Sequence, residues 1–249
     1  MVSWTELDHA LQEDSQRQLQ VQGSLNLYDS PQLERLATQA IAGRQLTITA
    51  LPMDERGAEQ SDRVGEALPV CLCEDDYPGW VALEDLDLLA VAEAPYQAIA
   101  LTPEQIRDRL AAVLSFAQAA MDQPNHYLWG GTVGPNYDCS GLVQTAFAAS
   151  DIWLPRDAYQ QEAFVQAIAR DEMQPGDLIF FGSSERCTHV ALALGGDRYL
   201  HSSGKDIGRN GIGIDTLGAS DDPVSQAYGR QLRGIGRVVA CYTPVRSRP

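Results

Sequence analysis

The chain has 249 residues, enough for one large domain or two modest ones with buried cores. Its formal net charge of −16 at pH 7 argues against nucleic-acid binding, which requires cationic grooves. No apolar run approaches the roughly 20 residues that span a bilayer. The beginning of the chain lacks the basic residue and apolar stretch of a secretory signal. We therefore predict two globular domains, a cytoplasmic location, and no nucleic-acid or membrane partner.

The first part of the chain divides into a leading segment and a strand-rich region. Residues 1–20 are rich in glutamine and amphipathic, which predicts a helix or arm. Residues 21–98 contain short β-type runs separated by glycine and proline turns, which predicts a small β-barrel domain. Its predicted strands are residues 25–28, 45–49, 68–73 and 79–82. The segment 33–42 is expected to be more helical.

The remaining part, residues 99–249, is expected to form an α+β domain. Thr102 and Pro103 predict the start of a helix that runs towards Ala120, because threonine caps helices and proline suits the first turn. Later strands are expected at residues 178–181, 212–215 and 234–242. The segment 218–229 is expected to be a surface loop.

Cys139 is a candidate nucleophile at the start of a helix. The apolar residues that follow it recur at helical spacing, and they are Leu142, Val143, Ala146 and Phe147. The positive end of a helix dipole beneath the sulfur would favour the thiolate, which is the reactive form. Asp138 or Ser140 is expected to cap this helix.

Two histidines downstream of Cys139 supply a candidate base and a group to orient it. Residues 188–201 resemble two strands joined at Gly195-Gly196. A pairing centred on Gly195 places His189 directly opposite His201 on one face, and it requires a three-residue turn or a bulge. A thiol with two such histidines is typical of a cysteine hydrolase. A zinc set that includes Cys187 lacks the usual paired ligand spacing, so no metal or cofactor is expected.

Five linked motifs resemble those of the NlpC/P60 family of bacterial cell-wall peptidases, which have a papain-like α+β fold. They are Tyr-Leu-Trp-Gly-Gly at 127–131, Asp-Cys-Ser-Gly at 138–141, Leu-Pro-Arg-Asp at 154–157, Pro-Gly-Asp-Leu at 175–178, and Thr-His-Val at 188–190 with His201. The resemblance implies that Cys139 is the nucleophile, His189 the base and His201 the residue that orients it. It also implies cleavage of a γ-D-glutamyl-diaminopimelate or γ-D-glutamyl-lysine bond.

Residues 26–31 and 76–81 resemble parts of bacterial SH3-like (SH3b) domains. This domain ahead of an NlpC/P60 domain is similar to the γ-D-glutamyl-L-diamino acid endopeptidases. The similarity implies a murein tripeptide or tetrapeptide substrate with free N-terminal L-Ala, and a role in wall-peptide recycling. The residues that it implies near the substrate are Tyr127, Asp138, Ser140, Arg156, Asp157 and, from the first domain, Tyr77 or an acidic neighbour such as Asp75.

Other interpretations of these residues remain open from sequence alone. Arg156 and Asp157 are equally compatible with a structural salt bridge, and Asp138 with helix capping. The chain is also compatible with a wall-peptide-binding module in which Cys139 is idle. An amidase or acyltransferase with the same triad is a further alternative.

Overall fold

A computed structural model of the chain describes Asp14, residues 17–49 and residues 67–245. The chain divides into two compact units, Ile99–Thr243 and a unit formed by the residues up to Ala98 together with those from Pro244. Most of the helix or arm predicted at 1–20 lies outside the described residues. Its last residues belong instead to a strand, Gln18–Val21. Among the described residues, no helix is long and apolar enough to cross a membrane.

The described residues of the first unit form a seven-stranded antiparallel sheet around an apolar core. Its strands are β1 (Gln18–Val21), β2 (Leu25–Tyr28), β3 (Leu36–Ala40), β4 (Gln45–Ile48), β5 (Ala67–Leu72), β6 (Pro78–Ala82) and β7 (Leu89–Val91), in the order β3-β2-β6-β5-β4-β1-β7. Alternate residues point inward, as Leu25 and Leu27 do from β2. A 3-10 helical segment, Leu83–Leu88, separates the last two strands.

The expectation of helical structure at residues 33–42 was wrong, because this segment contains β3. Its residues pair with β2, and Thr38 and Ala40 are fully buried on one face. Helix propensity is a weak preference, which strand pairing and burial override here.

The second unit has the predicted α+β architecture. Its helices are α1 (Pro103–Met121), α2 (Cys139–Ala148), α3 (Ala158–Phe164) and α4 (Pro223–Gly229). Its strands are β8 (Gln166–Ile168), β9 (Leu178–Gly182), β10 (Cys187–Gly195), β11 (Arg198–Ser203), β12 (Gly211–Thr216) and β13 (Leu232–Arg237), which form an antiparallel sheet in the order β12-β11-β10-β9-β13-β8. The capping of α1 by Thr102 is confirmed.

Both faces of this sheet are buried. Phe180 and Val190 belong to the core that includes residues of α1 and α2, whereas Phe181 packs with Val224 and Tyr228 of α4 on the other face. This division follows from the alternation of side chains along a strand. The expectation of a surface loop at 218–229 was therefore wrong for Pro223–Gly229, because burial of Val224 and Tyr228 stabilises a helix there.

The β10–β11 hairpin contains the bulge that the sequence predicted, but its register is displaced. Leu192 pairs with Leu200 and Ala193 with Tyr199, and the register shifts before Gly195. Leu200 and Tyr199 of β11 therefore pair with residues of β10 that lie two positions further along the chain than predicted. As a result, His189 is a diagonal neighbour of His201 and does not lie directly opposite it. A shift of two residues keeps both side chains on the predicted face.

Candidate active site

Cys139 is the first residue of α2, and the backbone around it is held by Asp138. The Asp138 carboxylate accepts hydrogen bonds from the N–H of Gly141 at 2.6 Å and the N–H of Gly130 at 2.9 Å. Asp138 is therefore the cap of the nucleophile helix, one of the two candidates from sequence. The same carboxylate joins the helix to the loop that precedes it.

Arg156 completes this support. Its guanidinium donates to both carboxylate oxygens of Asp138, at 2.6 and 3.1 Å, and to the Ser140 hydroxyl at 2.9 Å. Arg156 is 1% exposed. The structure therefore shows the salt bridge that sequence analysis left open for Arg156, although with Asp138 as the partner. Contact of Arg156 with a substrate carboxylate stays a prediction.

His189 and His201 form a directly hydrogen-bonded pair. Their Nε2 and Nδ1 atoms, respectively, are 2.8 Å apart, and both side chains are buried. His189 uses Nε2 for this contact, so its Nδ1 is the ring nitrogen that remains for proton transfer. The structure brings the two histidines together as predicted.

Tyr228 of α4 and Val190 of β10 connect the histidine pair to Cys139. The Tyr228 ring stacks on His189 at a centroid distance of 4.4 Å and meets His201 edge-on at 4.8 Å. Burial and then the charge of an ionised Cys139 raise the pKa of Tyr228, so the phenol is protonated at neutral pH. The backbone N–H of Val190, the residue after His189, hydrogen-bonds to the Cys139 sulfur and lowers its pKa.

The pKa shifts favour a neutral resting pair, contrary to the thiolate expected from the helix dipole. Burial and the charge of Asp138 raise the pKa of Cys139 to about 12, against the opposing N–H groups of Val190 and Ser140. Burial and the neighbouring His201 lower the pKa of His189 well below 6.5. Burial disfavours the charged form of each group, and here it outweighs the dipole.

Asp215 is a site residue that sequence analysis missed. The Nε2–H of His201 donates to the Asp215 carboxylate at 2.7 Å. Asp215 also accepts from Arg209 at 2.5 and 3.0 Å and from the Ser225 hydroxyl at 2.7 Å. The sequence did show an aspartate at the end of the predicted strand 212–215. Its contact with His201 could not be predicted, because it depends on which strands pair.

The remaining predicted substrate residues occupy different environments. Burial, followed by the charges of Cys139 and Asp138, raises the pKa of Tyr127, so its hydroxyl is protonated at neutral pH. Asp157 is the N-cap residue of α3, and its backbone N–H donates to the side chain of Gln160.

Asp75 and Tyr77 belong to the first unit. Asp75 forms a buried ion pair with Arg44 at 2.9 Å, and Tyr77 is half-buried. Their contact with a substrate stays a prediction. Across the described part of the chain, no group of three or more His, Cys, Asp or Glu side chains could hold a metal ion.

The site contains the groups that acyl transfer by a cysteine requires, which are a thiol, an imidazole and a group that orients the imidazole. The thiol at the start of α2 accepts a hydrogen bond from the N–H of Val190, the residue after His189, and a chain of hydrogen bonds runs from His189 through His201 to Asp215. A fold and site of this kind define the cysteine-peptidase class. Residues 124–223 match the NlpC/P60 family, and residues 27–86 match the bacterial dipeptidyl-peptidase Sh3 domain. The chain thus contains an NlpC/P60 domain, preceded by a bacterial SH3 domain.

Named relatives share parts of this chain. A γ-D-glutamyl-L-lysine dipeptidyl-peptidase from Bacillus subtilis (strain 168) is 42% identical over 86 residues, which cover 32% of this chain and 29% of that protein. A probable endopeptidase p60 from Listeria seeligeri is 33% identical over 122 residues, which cover 49% of this chain and 21% of that protein. The chain spans less than a third of the length of either relative. A crystal structure of an NlpC/P60 family protein from Bacillus cereus is 19% identical, with a TM-score of 0.46, and the match covers 93% of this chain and 66% of that one.

Proposed function

We propose that this protein is a cysteine endopeptidase that hydrolyses the bond between γ-D-glutamate and a diamino acid in bacterial cell-wall peptides. The observation that carries the proposal is the Cys139 thiol at the start of α2, which is hydrogen-bonded to the N–H of the residue after His189, together with the hydrogen-bonded pair of His189 and His201. The 42% identity to a γ-D-glutamyl-L-lysine dipeptidyl-peptidase supports this choice of bond.

The proposed reaction begins with proton transfer from the Cys139 thiol to Nδ1 of His189. The sulfur then attacks the γ-carbonyl carbon of D-glutamate and forms a tetrahedral oxyanion. The protonated Tyr127 hydroxyl and the backbone N–H of Cys139 are candidate donors to this oxygen.

Collapse of the intermediate breaks the C–N bond, and the leaving amine takes the proton from His189. Water then hydrolyses the thioester, with His189 as the base again. His201 holds the ring of His189 in place through the 2.8 Å hydrogen bond. Acid and base roles thus alternate on one imidazole, which carries the transferred proton in each tetrahedral intermediate and is neutral in the free enzyme and in the thioester.

We further propose that the substrate carries a free N-terminal L-Ala. We propose the Asp138 carboxylate, which is already paired with Arg156, and the protonated Tyr127 hydroxyl as the partners of this buried ammonium group, since such a group requires carboxylate and hydroxyl partners. A free amino terminus occurs on released peptide fragments, so we propose a role in wall-peptide recycling in the cytoplasm. Cell fractionation with an antibody to the protein tests the location, and recovery outside the cytoplasmic fraction would contradict it.

The central experiment is incubation with L-Ala-γ-D-Glu-meso-diaminopimelate and with L-Ala-γ-D-Glu-L-Lys, with the products weighed by mass spectrometry. We expect L-Ala-γ-D-Glu from both peptides, together with free diaminopimelate from the first and free lysine from the second. The N-acetylated peptides are the matched control, and we expect them to be cleaved far more slowly. Release of L-Ala alone or of ammonia would identify a different bond and overturn the proposal.

The wall-peptide-binding module remains the competing candidate. It predicts that wild type and Cys139→Ala bind the tripeptide equally and that neither turns it over. Calorimetry with both proteins, run beside the cleavage assay, separates the two functions.

A further inference from the structure

We infer that Asp215 is a positioning residue that sets the tautomers of both histidines, so that His189 presents an unprotonated Nδ1 as the base. The inference rests on the proposed peptidase activity, because it assigns a role within that reaction. Asp215 acts through His201 and contacts no reacting atom.

The hydrogen bonds determine the tautomers one after another, starting from Asp215. A carboxylate can only accept, so the His201 nitrogen at 2.7 Å from Asp215, Nε2, carries the proton. Burial lowers the pKa of His201, so the ring is neutral and its Nδ1 is an acceptor. The His189 Nε2 at 2.8 Å must then be the donor. A neutral His189 that is protonated on Nε2 has its free lone pair on Nδ1.

Asp215 is held in the ionised form, which can only accept hydrogen bonds. Burial opposes ionisation, but hydrogen bonds from His201, Arg209 and Ser225 outweigh it and lower the pKa of Asp215. Its side chain is fully buried. A carboxylate with four donors and no solvent has little freedom to rotate.

The strand pairing explains how Asp215 reaches His201. His201 pairs with Gly213, so Asp215, two residues further on, lies on the same face. Gly213 also leaves room for Arg209, since a Cβ at 213 would lie 3.3 Å from Cδ of that side chain. Arg209 in turn binds Asp222, the cap of α4, at 2.8 Å.

Asp215→Asn is the decisive substitution. Oδ1 receives donors from Arg209 at 2.5 Å and from Ser225 at 2.7 Å, whereas Oδ2 receives His201 and a longer contact of 3.0 Å from Nε of Arg209. We therefore expect the amide oxygen of asparagine at the Oδ1 position and the amide nitrogen towards His201, with loss of the contact from Nε of Arg209. That nitrogen donates, so the proton of His201 moves to Nδ1 and His189 becomes protonated on Nδ1. The base is then blocked without a change in shape. In serine-protease triads a comparable change costs about 10⁴-fold in kcat.

The test uses full-length protein with ¹⁵N-labelled histidine. We expect ring ¹⁵N shifts of wild type to show Nε2–H tautomers for both residues, and those of Asp215→Asn to show Nδ1–H tautomers. We expect kcat on the tripeptide to fall between about 10²- and 10⁴-fold with KM nearly unchanged. Asp177→Asn is the matched control, because Asp177 is also buried and paired with an arginine, Arg237, at 2.8 Å. We expect it to keep the tautomers and most of the activity.

Arg209→Gln gives an independent measurement if the asparagine variant does not fold, because Arg209 is a third exposed. Asp215 remains, so the tautomers are expected to persist. The positive charge of Arg209 lowers the pKa of His201, so its loss moves the acid limb of kcat/KM to higher pH. The groups that face His201 are His189, Asp215, Arg209, Tyr199 and Tyr228.

Two results would overturn the inference. One is unchanged histidine tautomers in Asp215→Asn, and the other is a loss of kcat no greater than that of Asp177→Asn. The tautomers are measured without substrate. A failure of the proposed peptidase activity is therefore distinguishable from a failure of this inference.

Discussion

At the scale of single residues, burial controls the chemistry of the site. The Cys139 side chain is 6% exposed and that of His189 is 7% exposed, so neither ionises readily. We therefore expect a resting site in which both groups are neutral, with the proton moving during attack on the substrate. This state follows from the enclosure of the site, which overrides the favourable position of the sulfur at a helix start.

Alkylation of Cys139 tests the neutral thiol. With a pKa of about 12, we expect the rate with iodoacetamide to rise about tenfold for each pH unit between pH 7 and 9, without a plateau. Cys139→Ala is the control, because it reports labelling of the other cysteines. A plateau below pH 8 would show a resting thiolate and contradict the prediction.

Substitutions of Cys139 and His201 are expected to differ in their effect on activity, because one residue is the proposed nucleophile and the other orients the proposed base. Cys139→Ala is expected to reduce kcat on the tripeptide by about 10⁴-fold or more, because no other group supplies the covalent step. His201→Ala is expected to leave measurable turnover, because His189 remains. Cys241→Ala, at a buried thiol of the same unit, is the control and keeps its activity. Equal activity of the two site variants would discard the assignment.

At the scale of elements, the contact between α2 and the preceding loop sets the position of the nucleophile. The N–H of Gly141 binds Asp138, and a Cβ at Gly141 would lie 2.0 Å from the carbonyl oxygen of Gly131. Only glycine allows this approach. The glycine after the Asp-Cys-Ser sequence is therefore a packing requirement of the site.

Gly141→Ala is expected to lower the free energy of unfolding by at least about 2 kcal/mol and to reduce kcat, because backbone atoms must move to admit the methyl group. Gly234→Ala is the matched control, since a Cβ there meets no atom within 4 Å. Chemical denaturation and the tripeptide assay measure both effects. A stability of Gly141→Ala equal to that of the control would refute the packing argument.

The β10–β11 hairpin shows which features of strand pairing can be predicted from the amino-acid sequence. The spacing of His189 and His201 and the glycines at the turn predicted one shared face and a bulge, and both are confirmed. The register was displaced by two residues, because turn geometry depends on backbone angles that two adjacent glycines leave open. The predicted face was nevertheless correct, because side chains along a strand alternate with a period of two and a shift of two residues leaves them on the same face.

At the scale of the whole molecule, buried titratable groups make folding depend on pH. The pKa values of His189 and His201 are lowered in the folded state, chiefly by burial. Their contribution to stability is therefore complete above the unfolded pKa of about 6.5 and is lost as pH falls below it. Asp215, whose folded pKa is also lowered, loses its contribution below about pH 4.

We expect the Tm of the protein to fall by at least about 3 °C between pH 7 and pH 5, the shift that 1 kcal/mol causes in a domain of this size. His201→Gln, which cannot titrate, is expected to show a shallower dependence. His126→Gln removes an exposed histidine and is the control. Identical pH dependence of Tm in wild type and His201→Gln would contradict this account.

The sequence by itself determined the local features of this protein. It predicted the helix of Cys139 with Asp138 or Ser140 as its cap, the two histidines on one face, and the order of an SH3-like region followed by an α+β domain. Each of these depends on neighbouring residues and on the periods of helices and strands, which the order of side chains specifies directly.

Only the tertiary structure decided the partners that are distant along the chain. The pairing of Arg156 with Asp138, the stacking of Tyr228 on His189 and the contact of Asp215 with His201 all depend on how separate elements pack. The same packing decided the charge states, because a pKa depends on burial and on neighbours that no local pattern reveals.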